Sequence, residues 1–203
     1  MHAKTPRLST SLLDSSLSLK DTAKRIRWYM CVIVTLSSLN YPDVIPQVYE
    51  HFASNVLAEL PPTDRFAAVQ KVREGLIKST GIVGAARTGN SMRTLSRCLP
   101  DEYREKESPR SKESEEDARK RGREFWLNIY ARNPEFDPEA TVRASPDYAF
   151  VVRDLLYARV FSYDGVLDPL TTGYAIVSGL YGMDCQNQLR SHMKVWRIVP
   201  VTS

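Results

Sequence analysis

Apolar residues recur along this chain at spacings of three and four, the repeat of an α-helix with one buried face. Ile26, Met30, Ile33 and Val34 follow Asp21, which is placed to cap a helix that Asn40-Tyr41-Pro42 ends. Proline disfavours helical geometry at the residue before it, so a sharp turn is expected at Tyr41. Val44, Val48, Phe52, Val56 and Leu60 repeat at four-residue spacing and predict a second helix over 43–60, stopped by Pro61-Pro62. A third, capped by Thr63 or Asp64, runs through Phe66, Val69, Val72, Leu76 and Ile77 to Gly81, a break or a close-packing point. A fourth covers 85–99 with Met92 and Leu95 inward.

Residues 100–116 are rich in Ser, Glu, Lys and Arg with almost nothing to bury, and predict a polar linker. An amphipathic helix over about 115–131 follows, burying Phe125, Trp126 and Ile129. Asn133-Pro134 and Asp137-Pro138 mark a loop. Ser145-Pro146 and Asp168-Pro169 each start a further helix, with proline at the favoured first position. Gly182 interrupts the second of these, Asp184 can recap it, and a last segment spans Cys185 to about Trp196. The brief alternation over 196–201 is one strand signal, and one strand makes no sheet. The pattern predicts an all-α fold of about seven or eight helices in two halves flanking the linker. A single domain is expected over 20–196, between a flexible N-terminal segment (1–19) and a tail (197–203).

A chain of 203 residues with 42% hydrophobic residues can bury a full core, which excludes global disorder. The most apolar stretch, Trp28 to Leu39, falls well short of the ~20 residues needed to span a bilayer. The balance of 28 basic against 24 acidic residues, net +4, is too mild to point to nucleic acid. Asp14 and Asp21 argue against a mitochondrial presequence, and the terminal Val-Thr-Ser is not the peroxisomal Ser-Lys-Leu type. The cytoplasm is the default compartment, with mitochondrion and peroxisome left open. Cysteines at 31, 98 and 185 and histidines at 2, 51 and 192 are too scattered for a disulfide framework or a metal centre. With no phosphate loop or haem motif either, no cofactor is expected.

The segment LDPLTTGYAIVSGLYGMDCQNQLRSHMK, over 167–194, resembles the carboxymuconolactone decarboxylase-like proteins, the AhpD-like fold, in a divergent branch common in fungi. WYMCVIVTLSSLNYPDVIPQVYEHF, KVREGLIKSTGIVGAARTGNSMRTL and GREFWLNIYARNPEF are similar to the same branch, so the resemblance extends over most of 20–194. In that family an apolar helix leads through a turn into a C-x-x-C-x-x-x-H helix. The resemblance puts Cys185 at the first cysteine and His192 at the histidine, but Gln188 at the second cysteine and Gly173 at the acidic position. It implies a peroxidase-related, cofactor-independent helical protein acting on a small molecule and assembling as a homo-oligomer, trimer or hexamer. The family ordinarily continues with a small-residue run and another helix, where this chain has VWRIVPVTS.

The residues can be read without the family. Positions 185, 188 and 192 share one helical face. At 1.5 Å per residue, Cys185 and His192 lie about 10 Å apart along the axis, so the imidazole is poorly placed to deprotonate the thiol. A dithiol cycle is excluded by Gln188. Cys185 can act as a nucleophile or be a small buried hydrophobe. His192 can be a general acid/base or satisfy a core hydrogen bond. Gln188 can bind a substrate carbonyl, and Arg190 and Arg87 can clamp a carboxylate or lactone or lie on the surface. Tyr130 and Tyr157 are expected in the core, and His51 beside Glu50 is expected to cap or solvate the second helix. Three functions stay open: a decarboxylase, isomerase or lactone-processing enzyme centred on His192; a single-cysteine thiol peroxidase or reductase using Cys185; and a non-catalytic helical scaffold.

Overall fold

The computed structural model describes residues 6–131 and 133–197, all helical, turn or loop. Its helices are α1 (Thr10–Asp14), α2 (Thr22–Ser38), α3 (Ile45–Asn55), α4 (Pro62–Val83) and α5 (Ala85–Cys98). They continue as α6 (Pro109–Lys112), α7 (Glu115–Tyr130), α8 (Ala140–Ala144), α9 (Pro146–Ala149), α10 (Pro169–Gly182) and α11 (Gln186–Arg197). A π-helix over Phe150–Phe161 continues α9. The all-α expectation is met. The longer helices match the predicted ones, and the count exceeds seven or eight because short segments are inserted between them. Of the stretch read as one strand, 198–201 lies outside the described residues and the remainder ends α11.

Asp21, Ser145 and Asp168 cap as read, whereas Thr63 and Asp64 do not: α4 starts at Pro62, ahead of both, with no side-chain cap bond. Asp21 accepts the Lys24 N–H at 2.9 Å, Ser145 the Tyr148 N–H at 3.2 Å, and Asp168 the Thr171 N–H at 2.7 Å. Asn40 closes α2 in the left-handed region at φ 61°, a conformation asparagine tolerates. Gly81 does not break α4, because a Cβ there would lie 2.5 Å from the Phe161 ring; it is a close-packing point.

Two expectations are corrected. Within the segment expected to be flexible, residues 10–18 form α1 and a 3₁₀ turn, with Leu13 and Ser16 buried. The segment is docked by Leu8 and Leu13 on the first cluster, by the Gln47 side chain, which bonds both the N–H and the carbonyl of Leu8, and by a polar chain described below. The polar linker is likewise folded. Tyr103 is buried, the Arg73 guanidinium donates to its carbonyl, and Arg110 pairs with the buried carboxylate of Glu74. Charge-assisted bonds do there what apolar burial does elsewhere.

The buried residues form two clusters. One joins α2, α3, α4 and α5 around Tyr29, Met30, Ile33, Phe52 and Leu76. The other joins α7, the π-helix, α10 and α11 around Trp126, Tyr157, Phe161, Ile176 and Leu189. Helix α10 belongs to both, through Ala175 on one side and Ile176 and Leu180 on the other. On a third side, Leu170, Tyr174 and Tyr181 are exposed.

Lys78, fully buried on α4, joins the two clusters by polar bonds. Its ammonium donates to the carbonyls of Val160 (3.1 Å), Phe161 (2.9 Å) and Tyr163 (2.6 Å), where the π-helix ends. Helix ends leave such carbonyls without intrahelical partners, and a cation there is favoured by both hydrogen bonding and the helix dipole. Glu74, 3.6 Å away and also buried, balances the charge. Burial pulls Lys78 down to about 8, still above neutral pH, so the ammonium stays charged.

The π-helix also fits α7 through a missing side chain. A Cβ on Gly122 would lie 2.6 Å from Ala158 Cα and 2.7 Å from its backbone nitrogen, atoms that cannot step aside. Gly122→Val is therefore expected to cost at least ~2 kcal/mol by overpacking. Gly89→Ala, where only the flexible end of Arg93 is near, is expected to be neutral or stabilising by up to ~1 kcal/mol. Urea denaturation of the two variants checks both signs.

Candidate functional site

Helix α11 follows a tight turn in which Asp184 adopts a left-handed conformation at φ 56°. The Cys185 N–H bonds back to the Leu180 carbonyl at 3.1 Å, and the Cys185 carbonyl accepts from Leu189 at 2.9 Å, so Cys185 stands at the start of α11. From there the helix lays Leu189 into the second cluster and buries His192 and Val195 along the same edge. Only 4% of the His192 surface remains exposed.

His192 meets two tyrosines. Its Nε2 lies 3.2 Å from the Tyr130 hydroxyl on α7, which lies 2.9 Å from the Tyr157 hydroxyl on the π-helix. The imidazole stands edge-on to the Tyr130 ring, and that ring stacks on Phe136, with Trp126 against both, 4.9 Å from Phe136 and 5.9 Å from Tyr130. An aromatic wall thus fixes the middle member of the chain. The other imidazole nitrogen, Nδ1, is buried and has no hydrogen-bond partner among the described residues. A buried polar atom without a partner costs free energy, which makes it the atom here to which a ligand would add most.

Burial sets the charge state of all three groups. It lowers His192 to about 4, raises Tyr130, and raises Tyr157 well above the ordinary phenol value. At neutral pH the chain is therefore a neutral imidazole and two neutral phenols. A neutral chain can run in two directions. If Tyr157 donates to Tyr130 and Tyr130 to Nε2, then Nδ1–H is left as a donor. If Nε2–H donates to Tyr130, then Nδ1 is left as an acceptor.

The remaining candidate residues do not gather round this point. Cys185 is half-buried and packs on the edge of the same cluster. Gln188 and Arg190 are exposed on α11, because its buried edge is carried by Leu189, His192 and Val195. Arg87, on α5, donates to the Ser38 carbonyl at 2.7 Å and so caps the end of α2. Cys31 and Cys98 pack on the first cluster, away from Cys185, and none of the three cysteines is in a disulfide. Gly173 is buried in α10.

Tyr130 and Tyr157 were expected in the core and are there, but their hydroxyls build the chain to His192. Local spacing carries no trace of this, since His192 and Tyr130 are 62 residues apart. His51 corrects another expectation. Rather than capping or solvating its helix, it bonds the buried Tyr29 hydroxyl through Nδ1 at 2.7 Å and Asp14 through Nε2 at 3.1 Å. Ser16 completes the row, 2.8 Å from the Tyr29 hydroxyl, and this row fastens 10–18 to α2 and α3. Among the described residues no group of three or more His, Cys, Asp or Glu could hold a metal ion, and no helix is long and apolar enough to cross a membrane.

No protein-family model matches the chain, and no solved structure matches it. Among curated proteins, it is similar to peroxisomal protein 2 of Schizosaccharomyces pombe, with 30% identity over 166 residues. The match covers 82% of this chain and 74% of that protein. The chain belongs to the family of the S. pombe peroxisomal protein 2.

Proposed function

We propose that this protein acts on a small organic acid or lactone, in the manner of the carboxymuconolactone decarboxylase-like proteins, with His192 as its general acid/base. The observation that supports this best is the buried Nδ1 of His192, without a partner and backed by Tyr130 and Tyr157. With the ring proton on Nε2, Nδ1 can take a proton from the carbon beside a substrate carbonyl, the electron pair passing into an enolate. The imidazolium then returns that proton to a carbon of the enolate. Tyr130 accepts the Nε2–H throughout and Tyr157 supports Tyr130, so the ring is held in one tautomer and orientation, and burial makes the imidazolium give its proton back readily. Cys185 has no thiol partner within the second cluster, which leaves the histidine as the better-supported centre.

In the same reading the protein resides at the peroxisome, as the name of its relative suggests, and assembles with copies of itself. The exposed row Leu170, Tyr174 and Tyr181 along α10, with Tyr181 67% exposed, supports association through that helix. Light scattering is expected to give a homo-oligomer that Tyr181→Glu weakens; a monomeric wild type would contradict it.

The chemistry is tested in deuterated buffer with a panel of unsaturated γ-lactones and their open-chain acids. Wild type is expected to exchange the hydrogen beside the carbonyl, read by proton NMR. His192→Gln should slow that exchange on the order of 10²-fold or more, and Tyr130→Phe should slow it less. Full exchange by His192→Gln would remove the histidine from this role.

A further inference from the structure

A separate cleft lies between α2, α4 and the start of α10. It encloses about 230 Å³ and is lined by residues of both chemical kinds. Ile26, Met30 and Leu167 form its floor, and all three are buried. Arg27 and Lys71 stand at its rim, one from α2 and one from α4. Neither forms a salt bridge with an acidic group of the described residues, unlike Arg25 with Glu59, Arg73 with Glu105 and Lys78 with Glu74 on the same two helices and their neighbours.

Arg27 is held rather than mobile. Its guanidinium lies over the Tyr174 ring, 4.9 Å from the centroid, and its Nε is buried without a hydrogen-bond partner among the described residues. A stacked guanidinium keeps its N–H groups in one plane, the arrangement that matches a carboxylate. One acid also lines the cleft, Asp168. Its two oxygens are taken by the Thr171 N–H at 2.7 Å and the Thr171 hydroxyl at 3.0 Å, so it is committed to capping α10. Two uncommitted cations against one committed carboxylate leave the cleft positive.

We propose that this cleft binds a small monocarboxylic acid, its apolar body on Ile26, Met30 and Leu167 and its carboxylate between Arg27 and Lys71. A polyanion such as phosphate would find the charge but leave the floor uncovered. A neutral apolar molecule would cover the floor but leave Arg27 unpaired. At ~30 Å³ per water, the volume holds roughly eight groups of that size, which suits a short-chain acid such as hexanoate. The site is distinct from the His192 chain, since its lining shares no residue with the second cluster.

The test is calorimetric titration of the full chain with hexanoate, hexanol and inorganic phosphate. Hexanoate is expected to bind saturably, and hexanol and phosphate at least roughly tenfold more weakly. Arg27→Gln and Lys71→Gln should each weaken hexanoate by roughly tenfold, while Arg27→Lys recovers part of the loss. His192→Gln should bind hexanoate as wild type does, so failure of the acid/base role leaves this result unaffected. Equal binding of hexanol, equal binding of phosphate, no hexanoate binding, or unchanged binding in both glutamine variants would each overturn the proposal. Loss in His192→Gln alone would overturn it as well, by moving the acid to the other cluster.

Discussion

The ammonium of Lys78 is where the two halves of this molecule are fastened. It sits on α4, within the first half, and its three hydrogen bonds all go to backbone carbonyls of the second, at the end of the π-helix. Those carbonyls would otherwise be buried acceptors without donors, and the ammonium would be a buried charge facing only Glu74. Each side thus removes the other's penalty, and removing the lysine would leave the carbonyls without their donor and Glu74 with Arg110 alone, a cost of about 3–5 kcal/mol for a broken buried pair. Arg121 works in parallel, donating to the carbonyls of Ala158 and Ser162 at 3.0 Å. The end of the π-helix is therefore pinned in position and rotation, and Gly122 lets α7 lie directly on it.

Rotation matters because Tyr157 is on that π-helix. With the end held by Lys78 and the middle against α7, its hydroxyl meets Tyr130, and Tyr130 meets His192 on α11. Three elements distant in sequence thus supply one chain of hydroxyl, hydroxyl and imidazole. Its low dielectric surroundings keep it neutral, which preserves a proton that can sit on either ring nitrogen. The Tyr157 ring packs edge to face on Phe161, 5.1 Å away, which ties the chain to the end of the π-helix that Lys78 holds.

Helix positions were legible in the sequence because they rest on local signals: Asp21, Ser145 and Asp168 cap, and Pro42 and Pro61 interrupt. The candidate histidine was legible through its place in a motif. What was not legible depends on distant pairing. Polarity made residues 100–116 look like a linker, yet Arg73 and Glu74 hold that stretch against α4. His51 looked like a solvated residue because its partners, Asp14 and Tyr29, lie on other elements. Arg87 and Gln188 looked suited to a substrate by residue type alone; the first caps α2 and the second faces solvent. No pattern of spacing distinguishes Lys78 from the other lysines of the chain, since its burial follows only from the π-helix ending above it.

The central claim is that the Lys78 contact holds Tyr157 and Tyr130 against a buried, neutral His192. It is tested most directly by following the His192 imidazole by NMR as pH is lowered, in wild type and in Lys78→Met. The account predicts that wild-type His192 stays neutral until about pH 4, and that loosening the π-helix in the variant lets water in and moves the midpoint up toward the ordinary ~6.5. A wild-type midpoint near 6.5, or the same low midpoint in a folded Lys78→Met protein, would contradict it.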